Sequence, residues 1–473
     1  MSVTVGWSAL LKREWLPLLV ALVGGVLLHS MNVLMLATVL PSIVEEVGGT
    51  AMMSWPTTAF LASSIVAATC TGRLTAQLGA RAAFCAGAVV FGAGALVCAV
   101  APSMETVVAG RFVQGFGGGV LSAMAYVLVG KSFPEPMWPR VAALLSGAWS
   151  MSVLIGPLMG GAFATWGNWR GAFYAVTGLA ALLALVAARA LPRATADTGR
   201  PGRAIPMGRI VLICLAIATM SAASVVTLAA AKAGLFLTAV VLLVTMILLD
   251  RRSGAPLFPS DSFSLRSTTG VAMWFALLVS IAYSPLSIFV PIFLRTLHGF
   301  DPLAAGYTVA GASMGWTVAS LVVSGWSPRA AGRLLSAGPL AMAVGLAGVA
   351  VLMPARPVVV LPALIALVGL GIGTCWGFGV QRLMGGARAG EGDLAASAVA
   401  TVQQTGFALG AAAAGIVATL SGLARGLDTQ GIAHAAFWVP ASFVSVALVA
   451  VVAGARLALI AGRADANKAT MRR

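Results

Sequence analysis

The stretch Val107-Val-Ala-Gly-Arg111-Phe-Val-Gln114-Gly115-Phe-Gly-Gly-Gly119 places one arginine and one glutamine in a run that is otherwise apolar and rich in glycine. It belongs to one of about fourteen apolar segments of roughly 20 residues, the length that an α-helix needs to cross a membrane. Glycines at this density let neighbouring helices approach closely. We therefore expect a membrane-spanning helix that carries a cation inside the bilayer.

The composition of the whole chain agrees with this interpretation. Hydrophobic residues make up 60% of it and charged residues only 9%, whereas a soluble domain has roughly 25% charged residues. None of the 13 Asp and Glu lies inside a long apolar run. The sequence predicts an all-α polytopic membrane protein with about fourteen transmembrane helices and no sizeable soluble domain.

The basic residues are distributed unevenly between alternate loops. If the N-terminus is cytoplasmic, 23 of the 29 Lys and Arg fall in inside loops, five fall in outside loops and Arg111 lies within a span. Such a bias predicts an even number of spans in the cell (inner) membrane, with both termini cytoplasmic. The basic surface then faces anionic membrane lipids, which we expect as partners instead of nucleic acid.

Two weak repeats divide the chain into halves. Gly72-Arg-Leu-Thr-Ala-Gln-Leu-Gly79 is similar in spacing to Gly325-Trp-Ser-Pro-Arg-Ala-Ala-Gly332, and the glycine-rich 114–119 has a looser counterpart in 369–373. Parallel internal repeats produce this pattern. The predicted domains are an N-terminal six-helix bundle (1–191), linkers with two additional helices (192–268), a C-terminal six-helix bundle (269–460) and a basic tail (461–473).

The motifs resemble those of a known family. The stretch 107–119 resembles the fourth-span signature of the major facilitator superfamily, and Gly156-Pro157-Leu-Met-Gly160-Gly161 is similar to its antiporter motif. With the two additional central spans, the chain resembles the fourteen-span branch of drug:proton antiporters. This resemblance implies the major facilitator fold and export of a small-molecule substrate by alternating access.

The resemblance also implies roles for individual residues. The antiporter glycines would form a rocking interface that disfavours leak, Arg111 would serve proton coupling and hold nearby helices, and Gly72, Gly79 and Arg81 would belong to the gating loop. Pro157 removes one backbone hydrogen bond and bends its helix. Two plainer interpretations stay open, namely generic close packing for the glycines and an interfacial, snorkelling side chain for Arg111.

The chain departs from the family pattern at two places. Aligned on Pro41, the first span has Asn32 where the family usually has an aspartate, and an amide cannot ionise. The loop motif has Ala76 and Gln77 where the family has an acid followed by a base. We therefore expect that the usual coupling acid is absent and that the loop relay is weakened.

Other groups in the first span could carry a proton. His29 lies three residues before Asn32, on the same helix face, and an ordinary imidazole titrates near about pH 6.5. A histidine that only hydrogen-bonds a backbone carbonyl is an equally good interpretation. Glu46, with Glu45 beside it at the outer end of the span, could sense external pH, although such carboxylates are commonly solvated surface charges.

A cavity without carboxylates should disfavour polycationic drugs, because a cation that leaves water needs a fixed counter-charge. We expect neutral, amphipathic or anionic substrates. The candidate lining combines aromatic, methionine and uncharged polar side chains. These candidates are His29, Asn32, Met35, Gln114, Trp149, Trp274, Tyr283, Trp316, Trp376, Gln403 and Gln404.

The sequence thus predicts a secondary transporter that exports hydrophobic or amphipathic compounds, coupled to protons. The alternatives are a proton-independent facilitator or anion exchanger, and a non-transporting sensor or scaffold on the same fold. A nucleophile and base, a phosphate loop and a metal cluster were not found in the sequence, so we expect neither an enzyme nor a cofactor. We expect a monomer, and a periplasmic adaptor stays open as a partner.

Overall fold

The computed structural model describes residues 14–49, 55–191, 207–226, 228–254, 256–300, 302–355, 358–422 and 429–471, together with residues 7, 10, 12 and 52. Residues 192–206, which begin the predicted segment of linkers and two additional helices (192–268), lie outside this set. The described residues form helices and connecting turns and contain no strand. The all-α prediction with fourteen main helices is confirmed.

The helices follow one another with short connections. Their bounds are α1 Leu16–Val47, α2 Trp55–Leu78, α3 Ala80–Ala99, α4 Met104–Ser132, α5 Trp138–Thr165, α6 Trp169–Ala190, α7 Met207–Val225, α8 Ala229–Arg251, α9 Thr268–His298, α10 Pro302–Val323, α11 Pro328–Leu352, α12 Leu361–Gly385, α13 Gly392–Leu420 and α14 Thr429–Met471.

Eleven of these helices are long and apolar enough over their described residues to cross a membrane, and α7, α10 and α13 are the other three. α13 is less apolar than the eleven because it carries Asp393, Ser397, Thr401 and two glutamines. A helix of this composition is stable in a membrane when its polar face packs against protein. The chain is a multi-pass membrane protein.

Local signals explain several helix boundaries. Ser103, Asn168 and Ser267 precede α4, α6 and α9, and each side chain accepts a hydrogen bond from a backbone N–H in the first turn. Gly79 has a φ of 78°, which separates α2 from α3 by a single residue. These caps and the glycine turn keep the connections short and make consecutive helices antiparallel.

The two six-helix bundles repeat one pattern of packing. In the first bundle α2 and α3 pack on α4, α1 packs on α5, and α3 packs on α6. In the second bundle α10 and α11 pack on α12, α9 packs on α13, and α11 packs on α14. Each helix of the first bundle therefore corresponds to the helix whose number is eight higher, from α1 with α9 to α6 with α14.

The glycine-rich segments 114–119 and 369–373 lie at equivalent positions in the two bundles. Three glycines of α4 and three of α12 make equivalent contacts: Gly115 and Gly119 face α2 while Gly117 faces α3, and Gly369 and Gly373 face α10 while Gly371 faces α11. The two stretches with a seven-residue glycine spacing, 72–79 and 325–332, do not lie at equivalent positions. Gly72 lies within α2, whereas Gly325 lies beyond the end of α10.

A second repeat becomes visible only in the structure. Gly156 and Gly160 of α5 face the backbone of α1, and Gly406 and Gly410 of α13 face the backbone of α9 in the same way. The sequences Gly156-Pro-Leu-Met-Gly160 and Gly406-Phe-Ala-Leu-Gly410 share only the glycine spacing and one leucine-or-methionine site. Close helix approach requires the small residue and leaves the positions between them free to vary.

The additional helices α7 and α8 pack on each other, and both also contact α13. The segment after α8 is held by Asp250, which pairs with Arg209 and accepts hydrogen bonds from the backbone of Leu257 and Phe258 at 2.8 to 2.9 Å. This segment reaches both bundles. Arg73 Nε of α2 donates to the Pro256 carbonyl at 3.0 Å, and Ser260 N donates to Glu391, next to α13.

Candidate functional site

A fully buried polar cluster lies inside the first bundle, with Arg111 of α4 at its centre. Arg111 Nη1 donates to Asn32 Oδ1 of α1 and, at 2.8 Å, to Gln114 Oε1 one turn along α4. Arg111 Nε donates to the Pro56 carbonyl of α2 at 3.4 Å. The arginine thus joins α1, α2 and α4, and it is buried instead of snorkelling to an interface.

Aromatic side chains enclose this cluster. The Arg111 guanidinium lies over the ring of Phe60, with its carbon 4.1 Å from the ring centre. His29 stacks on Phe60 at a centroid distance of 5.4 Å and meets the edge of Trp149 at 6.2 Å. The predicted residues His29, Asn32, Arg111, Gln114 and Trp149 are therefore brought together by the fold.

The cluster has more hydrogen-bond donors than acceptors. Among the described residues, Arg111 Nη2, Asn32 Nδ2, Gln114 Nε2 and His29 Nδ1 have no hydrogen-bond partner. Arg111 forms no ion pair with a described residue, and the pairs Lys131–Asp393, Arg170–Glu46 and Arg209–Asp250 lie elsewhere. Each buried unpaired polar group costs about 1 to 3 kcal/mol, so this arrangement is suited to receive an acceptor.

The first contact between the bundles is made by α2, α4 and α13. Gln404 Oε1 accepts a hydrogen bond from Ser64 Oγ at 2.9 Å, and Gln404 Nε2 donates to Ser122 Oγ at 3.1 Å. Thr69 and Thr401 are hydrogen-bonded at 3.4 Å across the same contact. Of the paired glutamines, Gln404 is the one that connects the two halves, and Gln403 beside it is also buried.

The second contact is made by α5 and α10. Ser150 Oγ is hydrogen-bonded to the Ser313 carbonyl and to Thr317 Oγ1. Thr317 Oγ1 also donates a hydrogen bond to the Ser146 carbonyl at 3.1 Å. An aromatic row in the second bundle lies next to this contact. It consists of Tyr283, Trp316 and Trp376, with centroid distances of 5.5 and 5.8 Å between successive rings.

The bundles are closed against each other at the end where the α2–α3, α4–α5, α8–α9 and α12–α13 connections lie, which we call the basic end. There Lys131 Nζ of α4 pairs with Asp393 Oδ2 of α13 at 2.8 Å. A Cβ on Gly72 would lie 2.8 Å from the Asp393 carbonyl, so only glycine allows this approach. Gln381 of α12 donates to the Glu135 carbonyl at 3.4 Å.

Toward the opposite end the same helix faces separate. Leu154 and Leu158 lie four and eight residues beyond Ser150, on the face of α5 that contacts α10, yet they are 45% and 73% exposed. Gly306 lies on the matching face of α10, seven residues before Ser313, and a Cβ there would meet no described atom within 4 Å. The bundles are therefore closed against each other at the basic end, and their α5 and α10 faces part toward the opposite end, which we call the parted end.

Several predicted site residues lie outside these centres. Trp274 is partly exposed and donates to the Phe263 carbonyl near the basic end, far along α9 from the aromatic row. Met35 is buried where α1 meets Gly160. Glu46 accepts a hydrogen bond from Trp169 Nε1 at 2.6 Å and pairs with Arg170, so it connects α1 to α6.

The motif glycines lie at different kinds of contact. Gly156 and Gly160 pack α5 on α1 within one bundle, whereas Gly161 faces open space. Pro157 lies inside α5, which continues from Trp138 to Thr165. Of the gating candidates, Gly72 lies between the bundles, Gly79 forms the α2–α3 turn and Arg81 lies in the first turn of α3.

Sequence reasoning missed the partners of the predicted residues. Phe60 is the ring beneath both Arg111 and His29, and Ser64, Ser122, Ser150 and Thr317 form hydrogen bonds between the bundles. Serine and threonine in a span satisfy themselves on their own helix, as Thr71 does, so their presence in a sequence carries little signal. Among the described residues, no group of three His, Cys, Asp or Glu could hold a metal ion.

The sequence matches the model of the Major Facilitator Superfamily over residues 22–411. A Mycobacterium tuberculosis (strain H37Rv) protein, named as a probable multidrug-efflux transporter, is 36% identical over 430 residues, which cover 88% of this chain and 90% of that protein. The puromycin resistance protein pur8 of Streptomyces alboniger is 30% identical over 421 residues, 86% of this chain and 82% of that protein.

Solved structures agree with the fold. The crystal structure of the human organic anion transporter MFSD10 (TETRAN) superposes with a TM-score of 0.69 at 15% sequence identity, covering 94% of this chain and all of that one. At this identity the similarity concerns the fold alone.

Proposed function

Because this chain belongs to the Major Facilitator Superfamily, we propose that it is a secondary transporter that exports hydrophobic or amphipathic organic compounds by alternating access. The family resemblance expected from the motifs is confirmed, and membership indicates a transporter and not an enzyme. Relatives named for multidrug efflux and puromycin resistance support export of drug-like molecules.

The proposed orientation places the basic end in the cytoplasm. The loops that carry most Lys and Arg meet at this end, where Arg73, Lys131, Arg209 and Arg388 make their contacts. Cytoplasmic loops of membrane proteins carry such an excess. In this orientation both termini are cytoplasmic, the protein lies in the inner membrane, and the bundles are closed inside and parted outside.

The proposed substrates are neutral or anionic. The observation that carries this is the buried Arg111 cluster, which holds a cation and unpaired donors, with no ion pair to Arg111 among the described residues. A polycation brought near this centre would lose its hydration without gaining a counter-charge. A neutral compound would lose less hydration free energy than a polycation, and an anionic compound would be attracted by the charge of Arg111.

The proposed energy source is the proton gradient, with His29 as the carrier. Its imidazole lies between Phe60 and Trp149 beside the Arg111 cluster, and Nδ1 has no partner among the described residues. A facilitator that needs no gradient is the alternative.

Reconstitution of the purified protein in liposomes tests the proposal. Flux of anionic, neutral and dicationic amphiphiles is measured with and without an imposed pH gradient. We expect gradient-stimulated flux of the anionic and neutral compounds. Lack of any flux would contradict the transporter, equal flux without a gradient would contradict proton coupling, and preferred flux of dications would contradict the substrate charge.

A further inference from the structure

The orientation of two amides follows from the chemistry of Arg111. A guanidinium has only donors, so Asn32 and Gln114 must both present their oxygens to Nη1, as the structure shows. Their NH₂ groups are consequently turned away from Nη1. Neither NH₂ group has a partner among the described residues, and the same holds for Arg111 Nη2.

These three nitrogens share one buried environment. The side chains of Arg111, Asn32 and Gln114 have no exposed surface, and Phe60 covers one face of the guanidinium. The NH₂ groups of Asn32 and Gln114 are thus buried next to a full positive charge, and no described carboxylate pairs with that charge. An uncompensated charge in a low-dielectric interior is strongly unfavourable, so it requires a negative partner.

We propose that this donor cluster binds a small monovalent anion of the halide type, held by Arg111 Nη2, Asn32 Nδ2 and Gln114 Nε2. The anion supplies the negative charge that Asn32, as an amide, cannot supply. Complete burial favours a small ion over the carboxylate of a bulky compound. The inference concerns binding in the resting protein and does not depend on the proposed transport.

The position of the cluster is compatible with entry from the parted end. Arg111 lies seven residues from the start of α4 at Met104, about 10 Å along the helix axis. Pro56, whose carbonyl accepts from Arg111 Nε, is the second residue of α2 at the same end. The cluster therefore lies nearer to the parted end than to the basic end.

Thermal unfolding of the purified, detergent-solubilised protein tests the site. Chloride replaces gluconate at constant sodium concentration and ionic strength. We expect chloride to raise the unfolding midpoint of the wild type saturably, by at least about 2 °C. A midpoint that does not respond to chloride would overturn the proposal.

Three variants sharpen the test. Asn32→Asp places a carboxylate in the cluster, so the chloride response should disappear, whereas Ser150→Ala, a buried change between α5 and α10, should keep it. Gln114→Leu should raise the half-saturating chloride concentration about tenfold, because one hydrogen bond to an anion is lost. An unchanged chloride response in both Asn32→Asp and Gln114→Leu would overturn the assignment.

Formate tests whether the cluster prefers a halide or a carboxylate. If the cluster is a halide site, chloride and bromide stabilise the wild type at lower concentrations than formate. Stronger stabilisation by formate would assign the cluster to the carboxylate of a transported compound and overturn the halide proposal.

Discussion

Lys131 of α4 and Asp393 of α13 form an ion pair between the two bundles at the basic end, with 2.8 Å between Nζ and Oδ2. The pair can exist only while this end is closed, since the two residues belong to different halves. Alternating access would have to break it together with the Ser64–Gln404 and Ser150–Thr317 hydrogen bonds. Each of these polar contacts can be changed by a single substitution.

Charge reversal at this pair should favour opening of the basic end. The side chains are 40% and 28% exposed, so the pair contributes at most about 1 kcal/mol and Lys131→Asp should change the transport rate about fivefold or less. The double variant Lys131→Asp/Asp393→Lys should recover most of the wild-type rate. A double variant as impaired as Lys131→Asp would show that the pair does not act in the transport cycle.

Arg111→Ala should abolish transport while the protein still folds. The substitution removes the hydrogen bonds that join α1, α2 and α4, but it also removes a buried cation without a carboxylate partner. We expect flux in liposomes to fall at least about 100-fold while the protein stays monodisperse on gel filtration. Phe112→Ala, at the exposed neighbouring position, is the control and should keep its flux.

Asn32→Asp should add proton dependence to transport or extend the substrates to cations. The new carboxylate would face Arg111 Nη1 and supply both a titratable group and a counter-charge. Flux of one cationic and one neutral compound, each at two external pH values, distinguishes the two effects. Wild-type behaviour in every condition would place residue 32 outside the transport route.

His29→Ala should flatten the dependence of transport on pH, because it removes the imidazole that is proposed to carry the proton. The matched comparison is Trp149→Phe, which changes the neighbouring ring but keeps the imidazole. If the pH profile of His29→Ala matches the wild type, another group carries the proton.

Gly156→Ala and Gly161→Ala should differ in stability although they alter the same motif. A Cβ at position 156 would lie 2.7 Å from the Met31 carbonyl, where the backbone of α1 cannot yield, so we expect a loss of about 1 to 3 kcal/mol. A Cβ at position 161 meets open space, and alanine is the better helix former there. Thermal unfolding in detergent measures both, and equal midpoints would contradict the α1–α5 packing.

Much of the architecture could be predicted because membrane spans are encoded locally. A run of about 20 apolar residues forms a helix wherever it lies, since backbone groups in hydrocarbon must bond within the segment. The same logic identified Arg111 as exceptional, because a lone charge in such a run is costly. The hydropathy of α10 and α13 is lower, because they carry polar residues, some of which contact other helices.

The candidate site could be predicted only in part. His29, Asn32, Arg111 and Gln114 were found because polar side chains contrast with an apolar background and because two pairs share a helix face. Phe60 was missed, because an aromatic residue does not differ in polarity from the apolar residues around it in the sequence. Trp274 was placed among the lining residues, although it lies beside Phe263 near the basic end, because a sequence does not show how far along the bundle a side chain lies.

The sequence by itself determined that this protein is a membrane-embedded bundle of helices, with one internal arginine and no internal acid, because composition and span length depend only on the residues present. Only the tertiary structure decided which side chains surround that arginine, that Gln404 and not a charged residue bridges the bundles at mid-height, and that the basic end is the closed one. These facts depend on contacts between helices far apart in sequence. The packing of one bundle against the other selects them.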